Sequence, residues 1–201
     1  MSRLEDRAKL ILVPLIEGSP FRLAPQDQIV VATWASMKAM VAEHYGDGDI
    51  TTDRVLRARM MNKQLPPEED WFVWIGYYER KKWISHWAST PFLVLPEFER
   101  GRREDKRATH YNGHISTQIV GKLFIHIMRF PDTAFLADWN FALPDRGLLC
   151  RIWPPGSYGI AWPTPVMSDR DADRASEAMK RRIEGAAARL HAKDLADLSK
   201  K

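Results

Sequence analysis

Trp71-Phe72-Val73-Trp74-Ile75-Gly76-Tyr77-Tyr78 is the stretch on which the fold turns. Its period is two, because Trp71, Val73, Ile75 and Tyr77 alternate with Phe72, Trp74, Gly76 and Tyr78, and both sets consist mostly of strand formers. A strand that is apolar on both sides is expected to be covered on both faces. Downstream, Glu79-Arg80-Lys81 reads as a hairpin tip. Lys82 to Ser89 then returns as a second strand, with Trp83, Ser85 and Trp87 facing one way and Ile84, His86 and Ala88 the other. Phe92-Leu93-Val94-Leu95 is a short buried run between Pro91 and Pro96. Strand character resumes from Ile115 to Phe130, broken only at Gly121, where a hairpin turn, a bulge or a bend is expected. Short strands follow at Leu148 to Trp153 and around Ile160 to Trp162, each fenced by Pro or Gly.

Upstream of this strand region the period is helical. Arg3 to Ile16 places Leu4, Ala8, Ile11, Leu12 and Leu15 on one stripe, with Glu5 and Asp6 complementing the dipole in the first turn and Pro14 expected to kink or end the helix. A longer helix starts at Pro25 and runs to about Tyr45, with Ile29, Val30, Trp34, Met37, Met40, Val41 and His44 as its stripe and Thr33 a polar residue beside it. Gly46-Asp47-Gly48 stops it. A third helix follows Thr51-Thr52-Asp53, carrying Val55, Leu56, Met60 and Met61 inward, and ends at Leu65-Pro66-Pro67. Far downstream, Ser168 and Asp171 resemble a capping box with an acid shorter than the usual Glu. They open an Ala-rich helix over Asp169 to Leu190 whose thin stripe suits a domain edge or another chain.

The fold class is therefore α+β: an N-terminal three-helix group, a mainly antiparallel sheet and a C-terminal amphipathic helix. Residues 1–167 form a single domain, helical over 1–65 and sheet over 71–167, and residues 168–201 form the last helix and a frayed tail. A chain of 201 residues can bury a core without staples, and with Cys150 as its only cysteine it has no disulfide or thiolate zinc knuckle. No run of about 18 apolar residues and no signal peptide occurs, so no membrane contact and a cytoplasmic location are expected. The net charge of +4 permits a nucleic-acid partner without requiring one.

Beyond these patterns, Met1-Ser2-Arg3-Leu4-Glu5, Val13-Pro14-Leu15-Ile16-Glu17-Gly18, Asp27-Gln28, Ala32-Thr33-Trp34-Ala35, Met40-Val41 and Trp74-Ile75-Gly76 together resemble the region just downstream of the nuclease core in bacterial HNH endonuclease-like proteins. The likeness is densest over residues 1–45 and loose to about residue 167. In that family a Cys-x-x-Cys-Asn-x-Gly-Trp segment runs into Met-Ser-x-Leu-Glu. The nuclease itself is a ββα-metal unit in which one His activates water while other side chains hold a divalent ion, and the cysteine pairs brace it with zinc. This chain begins at the Met that follows those cysteines, so no nuclease residue carries over. The resemblance implies a non-catalytic binding or accessory module whose chemistry is left upstream, with no metal or cofactor of its own and with nucleic acid or a partner protein as ligand.

Several groups compete for the binding role. Arg100, Arg102, Arg103, Lys106 and Arg107 lie in a loop that could contact phosphates, though Glu97, Glu99, Glu104 and Asp105 dilute the field and a solvated loop is the plainer reading. Trp74, Tyr78, Trp83 and Trp87 could stack unpaired bases or meet a partner, where the plainer reading is core. His110-Tyr111-Asn112-Gly113-His114 offers two imidazoles and an amide, yet Asn112-Gly113 favours a turn and no acidic third ligand lies nearby in sequence, so a polar hairpin tip is expected there. Cys150, in the run Leu148-Leu149-Cys150, reads as a small buried side chain. Two further functions stay open: a metal-dependent nuclease or hydrolase assembled from dispersed residues such as His86, His110, His126 and Asp138, and a mobile-element or bacteriophage protein that inhibits a host factor by contact. The last helix offers a route to oligomers.

Overall fold

The computed structural model describes residues 3–44, 50–67, 70–79, 85–92, 113–130 and 147–177, and they form an α+β fold. In chain order the elements are α1 (Arg3–Glu17), β1 (Phe21–Leu23), α2 (Pro25–Ala42), α3 (Arg54–Lys63), β2 (Trp71–Tyr78), β3 (Ser85–Phe92), β4 (Gly113–Val120), β5 (Leu123–Arg129), β6 (Leu149–Trp153), β7 (Ile160–Trp162) and β8 (Val166–Met167). A further helix, α4, begins at residue 169 and is described to residue 177.

Six strands form the main sheet, in the order β3-β4-β5-β2-β6, with β8 pairing parallel to the end of β2 beyond β6. All other pairings in it are antiparallel. The expected hairpin between Trp71–Tyr78 and Lys82–Ser89 does not form, since β2 pairs with β5 and β6 while β3 pairs with β4. Burial explains the difference. Seven of the eight residues of β2 are buried, which demands a neighbour on both edges and cover on both faces, whereas β3 alternates between exposed and half-buried residues and suits the sheet margin. The proposed tip at Arg80-Lys81 lies outside the described residues. Gly121 is the turn of a β4–β5 hairpin, at φ 59°.

One sheet face carries the main core, in which Trp71, Val73, Ile75 and Tyr77 of β2 and Leu123, Ile125 and Ile127 of β5 pack under α1 and α2. On the opposite face Tyr78 and Phe124 pack with Ala172 and Ala175 of α4, and Trp74, Met128 and Phe130 form a second cluster with Phe92 and Ile115. α1 continues three residues past Pro14, which withholds only the one hydrogen bond to the carbonyl of Leu10, whose side chain is solvent-exposed. α2 is more deeply buried than its large apolar stripe implies, because Ala32, Ala35, Ser36 and Ala39 are buried and Val41 is exposed. Small residues let the helix lie close to the sheet. α3 makes the opposite departure: only Met60 is buried, and Val55 and Met61, expected inward, are exposed. Asp53 caps α3 by accepting from the Leu56 N–H at 2.7 Å. Asp171 does close its box, accepting from the Ser168 N–H at 3.0 Å and hydroxyl at 2.6 Å. Among the described residues no helix is long and apolar enough to cross a membrane.

Candidate functional site

Among the described residues the helix layer covers β2 and β5 but thins out over β3 and β4, and there the end of α2 overhangs the sheet to leave a cavity of about 730 Å³. Pairing fixes which side chains enter it: Ser89 lies opposite Ser116 and Pro91 opposite His114, with Trp87 opposite Gln118 and Ser85 opposite Val120. Alternate residues of the two strands therefore present one shared face. Trp34, Val41 and Ala42 of α2 form the other wall. Trp87 is 40% exposed at the mouth.

On the floor of this cavity three side chains distant in sequence form one hydrogen-bonded line. Glu43, immediately after α2, accepts from His114 Nδ1 at 2.9 Å, and His114 Nε2 lies 2.7 Å from Ser89 Oγ. A carboxylate can only accept, so Nδ1 carries the ring proton; in the neutral ring Nε2 is then an acceptor and the Ser89 hydroxyl donates to it. Glu43 and His114 are almost wholly buried, with side chains 3% and 2% exposed, while Ser89 faces the opening.

The carboxylate is held from behind. Thr51 donates to Glu43 through its N–H at 3.1 Å and its hydroxyl at 2.6 Å, and Thr52 does the same at 3.0 and 2.9 Å. Burial alone would raise the Glu43 pKa, but the bonds from His114 and Thr51, the electrostatic attraction of His114 and the Thr52 N–H together outweigh it and hold the carboxyl at about 2. Thr51 is in turn fixed by Arg129, which donates to its carbonyl and, at 3.0 Å through Nε, to Asp70. The Thr51-Thr52-Asp53 segment thus closes a buried acid on one side and caps α3 on the other.

Two buried polar groups beside this line, the Gln118 amide nitrogen and the Ser116 hydroxyl, have no hydrogen-bond partner among the described residues. Gln118 lines the cavity. Lys38 stands over the Trp34 ring at 5.8 Å and pairs with Glu5 at 2.9 Å, so its charge is already partly answered.

The residues singled out by sequence are scattered by the fold. Trp87 reaches the cavity mouth, but the Trp74 and Tyr78 rings are 5% and 0% exposed and pack in the far-side core, where they present no open face for stacking. Trp83 and the five basic residues Arg100, Arg102, Arg103, Lys106 and Arg107 lie outside the described residues, as do His110 and Asp138. His86 lines the cavity. His126 is buried on the opposite face, where its Nδ1 meets the Thr117 hydroxyl at 2.9 Å and burial lowers its pKa to about 4. His114, expected in a polar hairpin tip, is a buried strand residue, and its acidic partner Glu43 comes from 71 positions away. Cys150 is half-buried on β6, with its thiol pKa raised by burial. No sequence motif marks Glu43, Ser89 or Gln118, because β3–β4 pairing and the placement of the end of α2 over the sheet bring them together. Comparison with known proteins adds nothing to this geometry: no family model, curated protein or solved structure matches the chain.

Proposed function

We propose that this chain is a binding or accessory module that takes a partner protein in the cavity between α2 and the β3–β4 pair. The supporting observation is the character of the cavity, whose walls of Trp34, Val41, Trp87, Pro91 and Val120 are apolar and whose floor offers Ser89, His114 and Gln118. An apolar anchor with one polar group beside it matches that lining. Among the described residues that line the cavity, phosphate would find Glu43 near the floor and Lys38, already paired with Glu5, at the rim, a lining that suits an apolar protein segment better than phosphate. β3 supplies a second feature: it ends the strand order, and among the described residues no strand pairs with its outer edge. An extended peptide added there would gain main-chain hydrogen bonds while one of its side chains enters the cavity.

Selection from a displayed random peptide library tests this reading. Peptides with a regularly placed apolar anchor should be enriched on the wild-type protein and lost on Val41→Glu, a change at an exposed wall position that leaves the core intact. Enrichment unaffected by Val41→Glu would refute the cavity as the partner site. Salt-dependent oligonucleotide binding that persists in that variant, with no peptide enriched, would return the function to nucleic acid.

A further inference from the structure

Beyond holding a ligand, the cavity floor has the parts of an acyl-transfer site. Ser89 Oγ at 2.7 Å from His114 Nε2, His114 Nδ1 at 2.9 Å from Glu43, and a neighbouring Gln118 amide nitrogen without a partner among the described residues make up a nucleophile, a base, an orienting acid and a donor. We propose that Ser89 is a nucleophile that hydrolyses carboxylic esters whose apolar part fits this cavity, with His114 as general base, Glu43 as positioning residue and the Gln118 amide as donor to the developing oxyanion. This rests on the cavity being the ligand site but not on the ligand being a peptide.

Three observations carry it. The roles are ordered as the chemistry needs, since the buried Glu43 fixes the His114 tautomer that leaves Nε2 free to take the Ser89 proton. Ser89 is the exposed member and faces the opening, while His114 and Glu43 are sealed below it. Gln118 is 2% exposed and lines the same cavity, yet its amide nitrogen has no partner among the described residues. A buried donor left unmet is costly unless a ligand satisfies it. It sits opposite Trp87, diagonal to Ser89 across the strand pair, a separation of about 7 Å between backbones that a long amide side chain can bridge.

The reaction balances with water as the only co-reactant. Ser89 Oγ bonds to the ester carbonyl carbon as its proton passes to His114 Nε2, and the carbonyl oxygen gains the negative charge that the Gln118 amide would meet. Collapse breaks the bond to the alcohol oxygen, which takes the proton from His114 and leaves. Water then attacks the acyl-Ser89, gives its proton to His114, and the second collapse releases the carboxylic acid and returns the proton to Ser89.

The test uses the full chain with p-nitrophenyl butyrate as substrate and a fluorophosphonate as active-serine label. Mass spectrometry should place the label on Ser89, and Ser89→Ala, a change at an exposed position that the fold tolerates, should lower the hydrolysis rate at least 100-fold. Gln118→Leu, which keeps size but removes the donor, should cost about 100-fold in kcat. Glu43→Gln should lower kcat with KM held, a split that simple loosening of the cavity would not give. A folded wild-type protein that leaves Ser89 unlabelled, or a Ser89→Ala variant as fast as wild type, would overturn the proposal. Labelling at Ser89 without peptide enrichment would sustain it while removing the peptide reading, and peptide enrichment without labelling would do the reverse.

Discussion

Glu43 accepts from five donors while nearly sealed from water, so it should stay ionised far into acid. Its unfolded-state pKa is about 4.3 and its folded value about 2, so between those limits the unfolded chain binds more protons and stability rises with pH. The contribution is full above pH 4.3 and is lost as pH falls through 2, on the order of 3 kcal/mol. Urea midpoints measured across that window should fall less steeply with acid in Glu43→Gln than in the wild type. His126 acts over a different range. With its folded pKa lowered to about 4 by burial, against an unfolded value of about 6.5, its neutral ring favours the native state above pH 6.5 and opposes it progressively down to 4. An NMR titration should show the His126 ring neutral down to about pH 4, and His126→Gln should remove the stability loss between pH 6.5 and 4.

At the scale of elements, the junction of α1 with the β4–β5 hairpin is closely packed. The Lys122 N–H donates to the Ile16 carbonyl at 2.9 Å, and a Cβ at Gly121 would stand 2.6 Å from both the Ile16 side chain and its carbonyl oxygen. Gly147 has a similar backbone, φ 65° against 59°, but nothing within 4 Å of the same position. Gly147→Ala should therefore cost about 1 kcal/mol for the left-handed backbone alone, and Gly121→Ala clearly more, roughly 2–4 kcal/mol once the clash is added. Equal losses in thermal unfolding would show that the junction gives way. At α3, Asp53→Ala should cost about 1 kcal/mol by removing the cap. The strong periodic signals of Trp71–Tyr78 and of α1 were legible in sequence because burial repeats along the chain there. The existence and cap of α3 were equally legible, but its buried face was not: Val55 and Met61 have the spacing of an inward face, yet Met60 is the buried residue of the short helix. Pairing was equally hidden, since adjacent strands in sequence make the simplest hairpin and nothing local records that β5 and β6 occupy both edges of β2.

For the molecule as a whole, the α+β layering follows from patterning, while the candidate site depends on contacts that patterning does not encode. His114 could be noticed as one of a pair of imidazoles, but its meaning comes from Glu43 at the end of α2 and from Ser89 on the neighbouring strand, two residues along from its direct partner Pro91, both unremarkable in their own segments. The site exists because a helix layer wide enough for β2 and β5 stops short of β3, leaving apolar walls around a polar line. The same thinning leaves the outer edge of β3 without a strand among the described residues, so the opening and the free edge adjoin. Amide chemical-shift mapping with a library-selected peptide on isotopically labelled protein tests this most directly. Shifts concentrated on β3, on His114 to Val120 of β4 and on the last turn of α2, and abolished by Val41→Glu, are the predicted result. Shifts centred instead on α3 or α4, or unchanged in Val41→Glu, would contradict it.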